Sequence, residues 1–320
     1  MATTKVRHRP WGMDLLLVLM VLIWGTNYSV IKQAFSEIPP QPFNALRMAI
    51  ASGVFLVAIQ IAKRRAIASH GRISSVFYTP HPLTTRDRVD LVWLGVIGHF
   101  VYQFCFVGGV NGTTVSNAAL IIGATPVAIA VVSAIIGRER IAPLHWAGAA
   151  ISVVGIYFVV GHGASFGGAT LTGDLLVMAS VGCWAAYTIG ASRLVARHSP
   201  LYVTGMTMVI GGAPYVLVVL PQILTVNWAG VHPWTWFALP MSALLALNVA
   251  YLIWYAGVQK LGAARTSIYS NVVPIVAMTV ASLWLGESMS GVKLMGAGAV
   301  LGGVLLTRLG RRGVVIPPEE

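Results

Sequence analysis

The chain has 320 residues, 57% of them hydrophobic and only 9% charged, with a mean hydropathy of +0.78. A soluble domain carries charge at roughly a quarter of its positions, so this composition excludes one and predicts an integral membrane protein. The formal net charge of +12 reads mostly as a membrane-orientation signal and not as the footprint of a nucleic-acid partner.

Crossing a ~30 Å hydrocarbon layer takes about 20 mostly apolar residues at 1.5 Å rise each. Apolar runs between charged or Gly/Pro-rich breaks predict ten helices, near 14–35, 42–62, 89–109, 114–136, 144–161, 173–194, 202–221, 237–258, 264–286 and 292–308. Closed barrels also satisfy every backbone group in lipid, but they alternate apolar and polar residues, and runs such as Leu15–Trp24 do not. The expected fold is therefore an all-α helical bundle.

Ahead of the first helix, Lys5-Val6-Arg7-His8-Arg9 could head a signal peptide, yet the apolar segment runs on through Trp24, Asn27 and Lys32 without a small-residue cleavage site. The segment is expected to be retained. Cys105 and Cys183 both fall inside predicted helices, which suits packing and argues against a disulfide framework or a metal site.

With ten spans, successive loops alternate sides. The cations before helix one, in the 63–88 linker, after helices four and six, between eight and nine and at the C-terminus then share one face, and only Lys293 stands in a loop on the other. The positive-inside rule makes the crowded face cytoplasmic and puts both termini inside. Lys32 and Arg47 are left as the two cations within or near the membrane.

The chain also repeats itself. Residues 109–126, GVNGTTVSNAALIIGATP, align without a gap on 257–274, GVQKLGAARTSIYSNVVP, at an offset of 148, and the register carries on from Glu139 to Glu287 and from Gly148 to Gly296. Earlier, Trp24 and Pro40 match Trp184 and Pro200 at an offset of 160. Two units follow, 1–162 and 163–320, each with five spans; an odd count inserts the second upside down, the build of many secondary transporters.

These residues resemble a family. WGTNYSVIK with the Pro-Pro and Arg that follow (Trp24 to Arg47), ATPV with GRERI, and their partners VVPIV and LGESM are similar to the EamA-type drug/metabolite transporter superfamily over nearly the whole chain. The resemblance implies ten helices in two inverted halves, cytoplasmic termini, a bacterial inner (plasma) membrane and export of metabolites, often amino acids. One branch of that superfamily exports aromatic and other neutral amino acids.

Polar side chains at membrane depth face protein or water, so each is a candidate for substrate binding. Trp24, Asn27, Tyr28 and Ile31 share one helical face, and Trp184, Tyr187, Thr188 and Ala191 repeat it. The alternative is an interfacial Trp and an Asn joining two helices. His99 and Gln103 stand four apart, so both could reach one substrate, although a membrane histidine also serves in packing. Tyr251 and Tyr255, with Asn248, form a further stripe, and Asn271 with Ser270 precedes Pro274.

Pro126 and Pro274 each remove a backbone donor mid-span and could free the carbonyls of residues 122 and 270, acting as hinges. Lys32 is expected to approach Glu287 at the outer end of the pathway, with Arg193 near Glu139 as the inverted counterpart, the two pairs closing opposite ends in alternation; separate snorkelling is the alternative. No carboxylate is expected near the midplane, while Lys32 and Arg47 suit a carboxylate or pair elsewhere. Gly148, Ser152, Gly155, Gly296, Gly298, Gly302 and Gly303 allow close helix approach, within the monomer or in a homodimer.

The Gly-x-Ser-x-Gly sequence at 163–167, with Asp174 and His198 after it, lacks the strand-to-helix turn that a serine hydrolase needs. No zinc, P-loop or dinucleotide fingerprint is present, so no cofactor and no catalysis is expected. The expected partners are lipid and a small solute, an amino acid or another anionic or neutral metabolite; a passive channel or a non-transporting receptor is the competing reading.

Overall fold

The structure, a computed structural model, describes residues 11–135, 143–161, 169–261, 266 and 269–311. Among them are helices and turns and no strand.

Among the described residues six helices are long and apolar enough to span a bilayer, and four shorter apolar stretches accompany them, one of which, Val115–Ile129, falls across two helices. In chain order the helices are α1 (Trp11–Ala34), α2 (Pro40–Ala68), α3 (Thr85–Gly112), α4 (Val115–Gly123), α5 (Thr125–Ile135), α6 (Pro143–Gly161), α7 (Ala169–Val195), α8 (Pro200–Leu224), α9 (Pro233–Leu261), α10 (Val273–Leu285) and α11 (Gly291–Arg311).

The starts of these helices are written locally. Proline occupies the first turn of α2, α8, α9 and α10, where its missing N–H costs nothing and its fixed φ suits the helix. Thr84 and Asp87 form a reciprocal capping box on α3, and the side chains of Thr114 and Ser199 cap α4 and α8. α10 ends at Gly286, whose φ of 68° is the left-handed cap that glycine adopts without a Cβ penalty.

The second helix runs six residues past its expected end at 62, through Lys63, Arg64 and Arg65 to Ala68. Charged residues with good helix propensity continue a helix beyond lipid, because nothing at the interface breaks the hydrogen-bond ladder. The span expected at 114–136 is broken at Ala124, between α4 and α5. The span expected at 264–286 is broken at residues 271–272, ahead of α10.

Both α3 and α9 contain a π turn, at Val96–Val101 and Ala243–Val249, where Tyr102 N–H reaches back to Ile97 and Ala250 N–H to Leu245.

The helices interleave. α2 lies along α8, α3 along α7, α1 along α10 and α6 along α11, so each of these pairs joins the first part of the chain to the second. At the α6–α11 crossing, a Cβ on Gly155 would sit 2.7 Å from Val300 N and 2.8 Å from Gly296 O. The Ser152 hydroxyl donates to Val300 O at 3.2 Å there. Gly155 and Gly303 thus serve a contact within the monomer; Gly298 and Gly302 face open space.

Large apolar side chains such as Leu15, Val57, Leu217, Phe237 and Leu283 are exposed around the outside, while His99, Asn44, Arg47 and Thr207 are buried within. An apolar exterior around a polar interior is what lipid as solvent selects.

Candidate functional site

A cavity of about 70 Å³, counted as room for the centres of water-sized molecules, lies where α1, α3, α4, α7, α9 and α10 converge. One water needs roughly 10–15 Å³ on that measure, so the space suits a solute of several heavy atoms. Trp24, Asn27, Tyr28, Gln103, Trp184 and Tyr251, all expected from the sequence, line it.

Its wall is largely aromatic. The Trp24 ring centroid is 5.9 Å from that of Trp184, 5.8 Å from Tyr251 and 5.7 Å from Trp254, and Trp184 and Tyr251 are 5.3 Å apart, edge to face. The indole N–H of Trp24 donates to Ala246 O at 3.1 Å. Ala246 stands inside the π turn of α9, so the widened turn supplies the acceptor that fixes this ring.

The cavity floor is made where two helices break. Ile122, Gly123 and Thr125, at the α4–α5 break, and Ser270, Val273 and Pro274, at the α10 start, all face it. Pro126 and Pro274 do not kink continuous helices. Each is the second residue of a new helix, where an N–H is orphaned in any case. The carbonyl of residue 122, expected to be freed by Pro126, accepts the Thr125 hydroxyl at 2.5 Å.

His99 and Gln103 do not reach a common target. The π turn inserts an extra residue between them, turning His99 off the Gln103 stripe by about 100°, one residue's rotation. His99 Nε2 sits 3.1 Å from the Tyr187 hydroxyl and 3.2 Å from Thr207 Oγ1, with Tyr187 and Thr207 2.8 Å apart. Tyr187 and Tyr255, their rings 5.5 Å apart edge to face, are fully buried and pack behind the cavity rather than in its wall. Asn271 lies in the break before α10 and does not line the cavity.

Lys32 and Glu287 form no direct ion pair. Lys32 Nζ donates to the carbonyls of Val110, Asn111 and Thr113 at 2.8, 2.7 and 2.7 Å, closing the C-terminus of α3. Glu287 accepts from Val115 N at 2.6 Å and from Ser116 N and Oγ at 3.1 and 2.6 Å, closing the N-terminus of α4. Cation to C-terminus and anion to N-terminus is the arrangement that helix dipoles favour, and it outcompetes a direct pair here. Arg193 is exposed; Glu139, its expected partner, lies outside the described residues, as does the 163–167 motif.

Two other polar contacts tie the helix ends. Asp87, buried in the first turn of α3, accepts from Arg197 Nη2 and lies 3.3 Å from His198 Nε2. Glu37, in the turn after α1, accepts from His232 N at the start of α9 at 2.9 Å. Glu37 and Arg197 are equivalent under the 160-residue offset, and α3 and α9 under the 148-residue offset. Neither contact was foreseen, because each joins residues far apart in sequence and neither carries a local motif across the gap.

Sequence reasoning also left Tyr102, Phe106 and Trp254 out of the cavity wall. Trp254 follows Tyr251 at i+3, a spacing that could have included it. Arg47, noted only as a cation near the membrane, lines the cavity while remaining just 1% exposed. Among the described residues no cluster of His, Cys, Asp or Glu could hold a metal ion.

The model of the EamA-like transporter family matches residues 11–161 and again 171–309. The chain is 27% identical to the Bacillus subtilis transporter YyaM, over 91% of this chain and 92% of that one. It is 24% identical to the probable amino-acid metabolite efflux pump of Salmonella typhimurium, covering 93% of this chain and 95% of that protein. It is likewise 24% identical to the threonine/homoserine exporter RhtA of Escherichia coli K12, covering 90% and 88%. A chain of a solved crystal structure, 21% identical, superposes with a TM-score of 0.63 over 95% of this chain and 100% of that one, a likeness of fold alone.

Proposed function

Because this chain belongs to the EamA-like transporter family, an integral-membrane transporter family rather than an enzyme family, we propose that it is a secondary carrier exporting neutral or aromatic amino acids. The observation that carries this is the aromatic cavity at the junction of the two broken helix pairs, with no carboxylate in its wall among the described residues. Broken helices meeting at a central site are the recurrent plan of carriers built from inverted repeats.

The carrier works as two inverted five-helix halves, 1–162 and 163–320, with both termini cytoplasmic and the whole in a bacterial inner membrane. Three observations support the repeat. The π turns of α3 and α9 fall at matching positions, as do the breaks at Ala124 and at 271–272. Exchanging the halves also maps the pairing of α3 with α7 onto that of α9 with α1, and leaves α2–α8 and α6–α11 unchanged. The relatives named for amino-acid efflux and for threonine/homoserine export support the substrate class.

In this reading Asp87–Arg197 fastens the cytoplasmic end and Glu37–His232 the outer end, while Lys32 and Glu287 close the outer turn between α3 and α4. Counterflow in proteoliposomes preloaded with threonine, homoserine, phenylalanine or tyrosine tests it. Saturable uptake accelerated by internal substrate is expected. Uptake without trans-acceleration would indicate a channel, and no uptake of any amino acid would overturn the proposal.

A further inference from the structure

We infer that Arg47 is the substrate's carboxylate anchor, with Gln103 as its second donor, and that the transported solute must carry a free carboxylate. The inference rests on the carrier reading above and narrows it to one recognition contact.

A guanidinium presents five N–H donors. Arg47 uses one, from Nη1 to Asn44 Oδ1 at 3.1 Å, and its Nε is buried with no partner. Its Cζ also lies 5.9 Å from the centroid of the Phe43 ring. A buried cation left unpaired is strongly destabilising, so these spare donors suit an anionic group entering the cavity that Arg47 lines.

Among the described residues five acids are engaged elsewhere, and the sixth, Asp90, does not line the cavity. Asp14 accepts the Tyr269 hydroxyl at 2.6 Å, and Asp174 accepts from Thr113 Oγ1 at 2.6 Å and Asn117 Nδ2 at 3.5 Å. Glu37, Asp87 and Glu287 hold the helix ends described above. None of these lines the cavity.

The other membrane cation is excluded by its own geometry. An ammonium has three donors, and Lys32 Nζ spends all three on backbone carbonyls within 2.8 Å. Arg47 is therefore the cation that lines the cavity with donors to spare.

Arg47 also fixes the orientation of its neighbours. Because its N–H must donate, Asn44 presents its oxygen to Arg47 and its amide nitrogen to Gln103 Oε1 at 3.3 Å. The Gln103 NH2 then has no partner among the described residues, and Gln103 lines the cavity. Two donor groups on α2 and α3 thus face one space, which suits the two oxygens of a carboxylate. With no acid in the wall among the described residues, a substrate ammonium would rest against the rings of Trp24, Trp184, Tyr251 and Trp254 through cation–π attraction.

The test is proteoliposome flux for matched solutes: threonine and phenylalanine, their amides, their decarboxylated amines, and their N-acetyl acids. Wild type is expected to move at least one acid and to move its amide and amine at least roughly thirtyfold less well, the loss that follows from leaving a buried charge unpaired. Arg47→Gln is expected to lose flux of the acid to a similar extent, and Gln103→Leu to lose part of it. Arg47→Lys retains charge without the fork and is expected to fall between.

Thermal unfolding of each variant in detergent separates loss of flux from loss of fold. The wild-type comparison of acid with amide needs no variant at all. Amide or amine moved within about twofold of the acid, or undiminished flux in a folded Arg47→Gln, overturns the anchor while leaving the carrier reading intact. No flux of any of these solutes overturns both.

Discussion

A Cβ placed on Gly123 would lie 2.7 Å from Cγ of Pro274, so the end of α4 and the start of α10 touch through the two residues least able to yield. A proline ring is fused to its own backbone and cannot rotate away. Gly123→Val is therefore expected to separate the two breaks, destabilise the fold by about 1–3 kcal/mol as overpacking does, and reduce flux. Gly182→Ala, where an added Cβ meets nothing within 4 Å, is the control and is expected to leave melting temperature and flux unchanged or slightly improved.

Lys32 holds three carbonyls at the end of α3, and removing it strands acceptors that water replaces poorly in a partly buried turn. Lys32→Met is expected to destabilise the protein by about 1–3 kcal/mol, read as a melting temperature lowered by several degrees. Lys32→Arg is expected to recover only part of this, because a planar fork cannot meet three converging acceptors as a point-like ammonium does. Full stability in Lys32→Met would show that the carbonyls find other donors.

His99→Ala is expected to act through packing. It removes the partner shared by Tyr187 and Thr207 behind the cavity, so the melting temperature falls while the apparent KM of the protein that remains folded stays within about twofold. A KM raised tenfold or more, without a change in melting temperature, would put His99 in contact with substrate.

The two end contacts are expected to bias the carrier in opposite directions. Asp87→Asn weakens the contact to Arg197 and His198, and Glu37→Gln weakens the contact to His232 N. With Cys105 and Cys183 replaced by alanine and one cysteine introduced at Ala119 in the cavity wall, a membrane-impermeant thiol reagent reads which end is open. Asp87→Asn is expected to raise labelling from the cytoplasmic side, and Glu37→Gln from the outside. Equal changes on both sides would leave these contacts as simple helix caps.

Much of this protein was already written in the order of its residues. Apolar runs as long as a bilayer is thick predict helices, because lipid offers the backbone no other partner. The i, i+3, i+4 spacing put Trp24, Asn27 and Tyr28 on one face, and the same rule found Trp184 on α7; all four line the cavity. Helix starts at Pro40, Pro200 and Pro233 were likewise local signals.

What spacing could not decide was any feature set by a change of helical period or by contacts between distant segments. The π turn at Val96–Val101 rotated His99 towards Tyr187 and Thr207 and left Gln103 in the wall. The breaks at Ala124 and 271–272 turned two expected kinks into helix starts. Lys32 and Arg47 read alike in sequence as cations beside an apolar stretch; only the fold delivered three carbonyls to one and left the other buried with donors unused. Charge can be counted along a chain, but whether it is satisfied depends on which backbone and side-chain groups the packed helices bring to it.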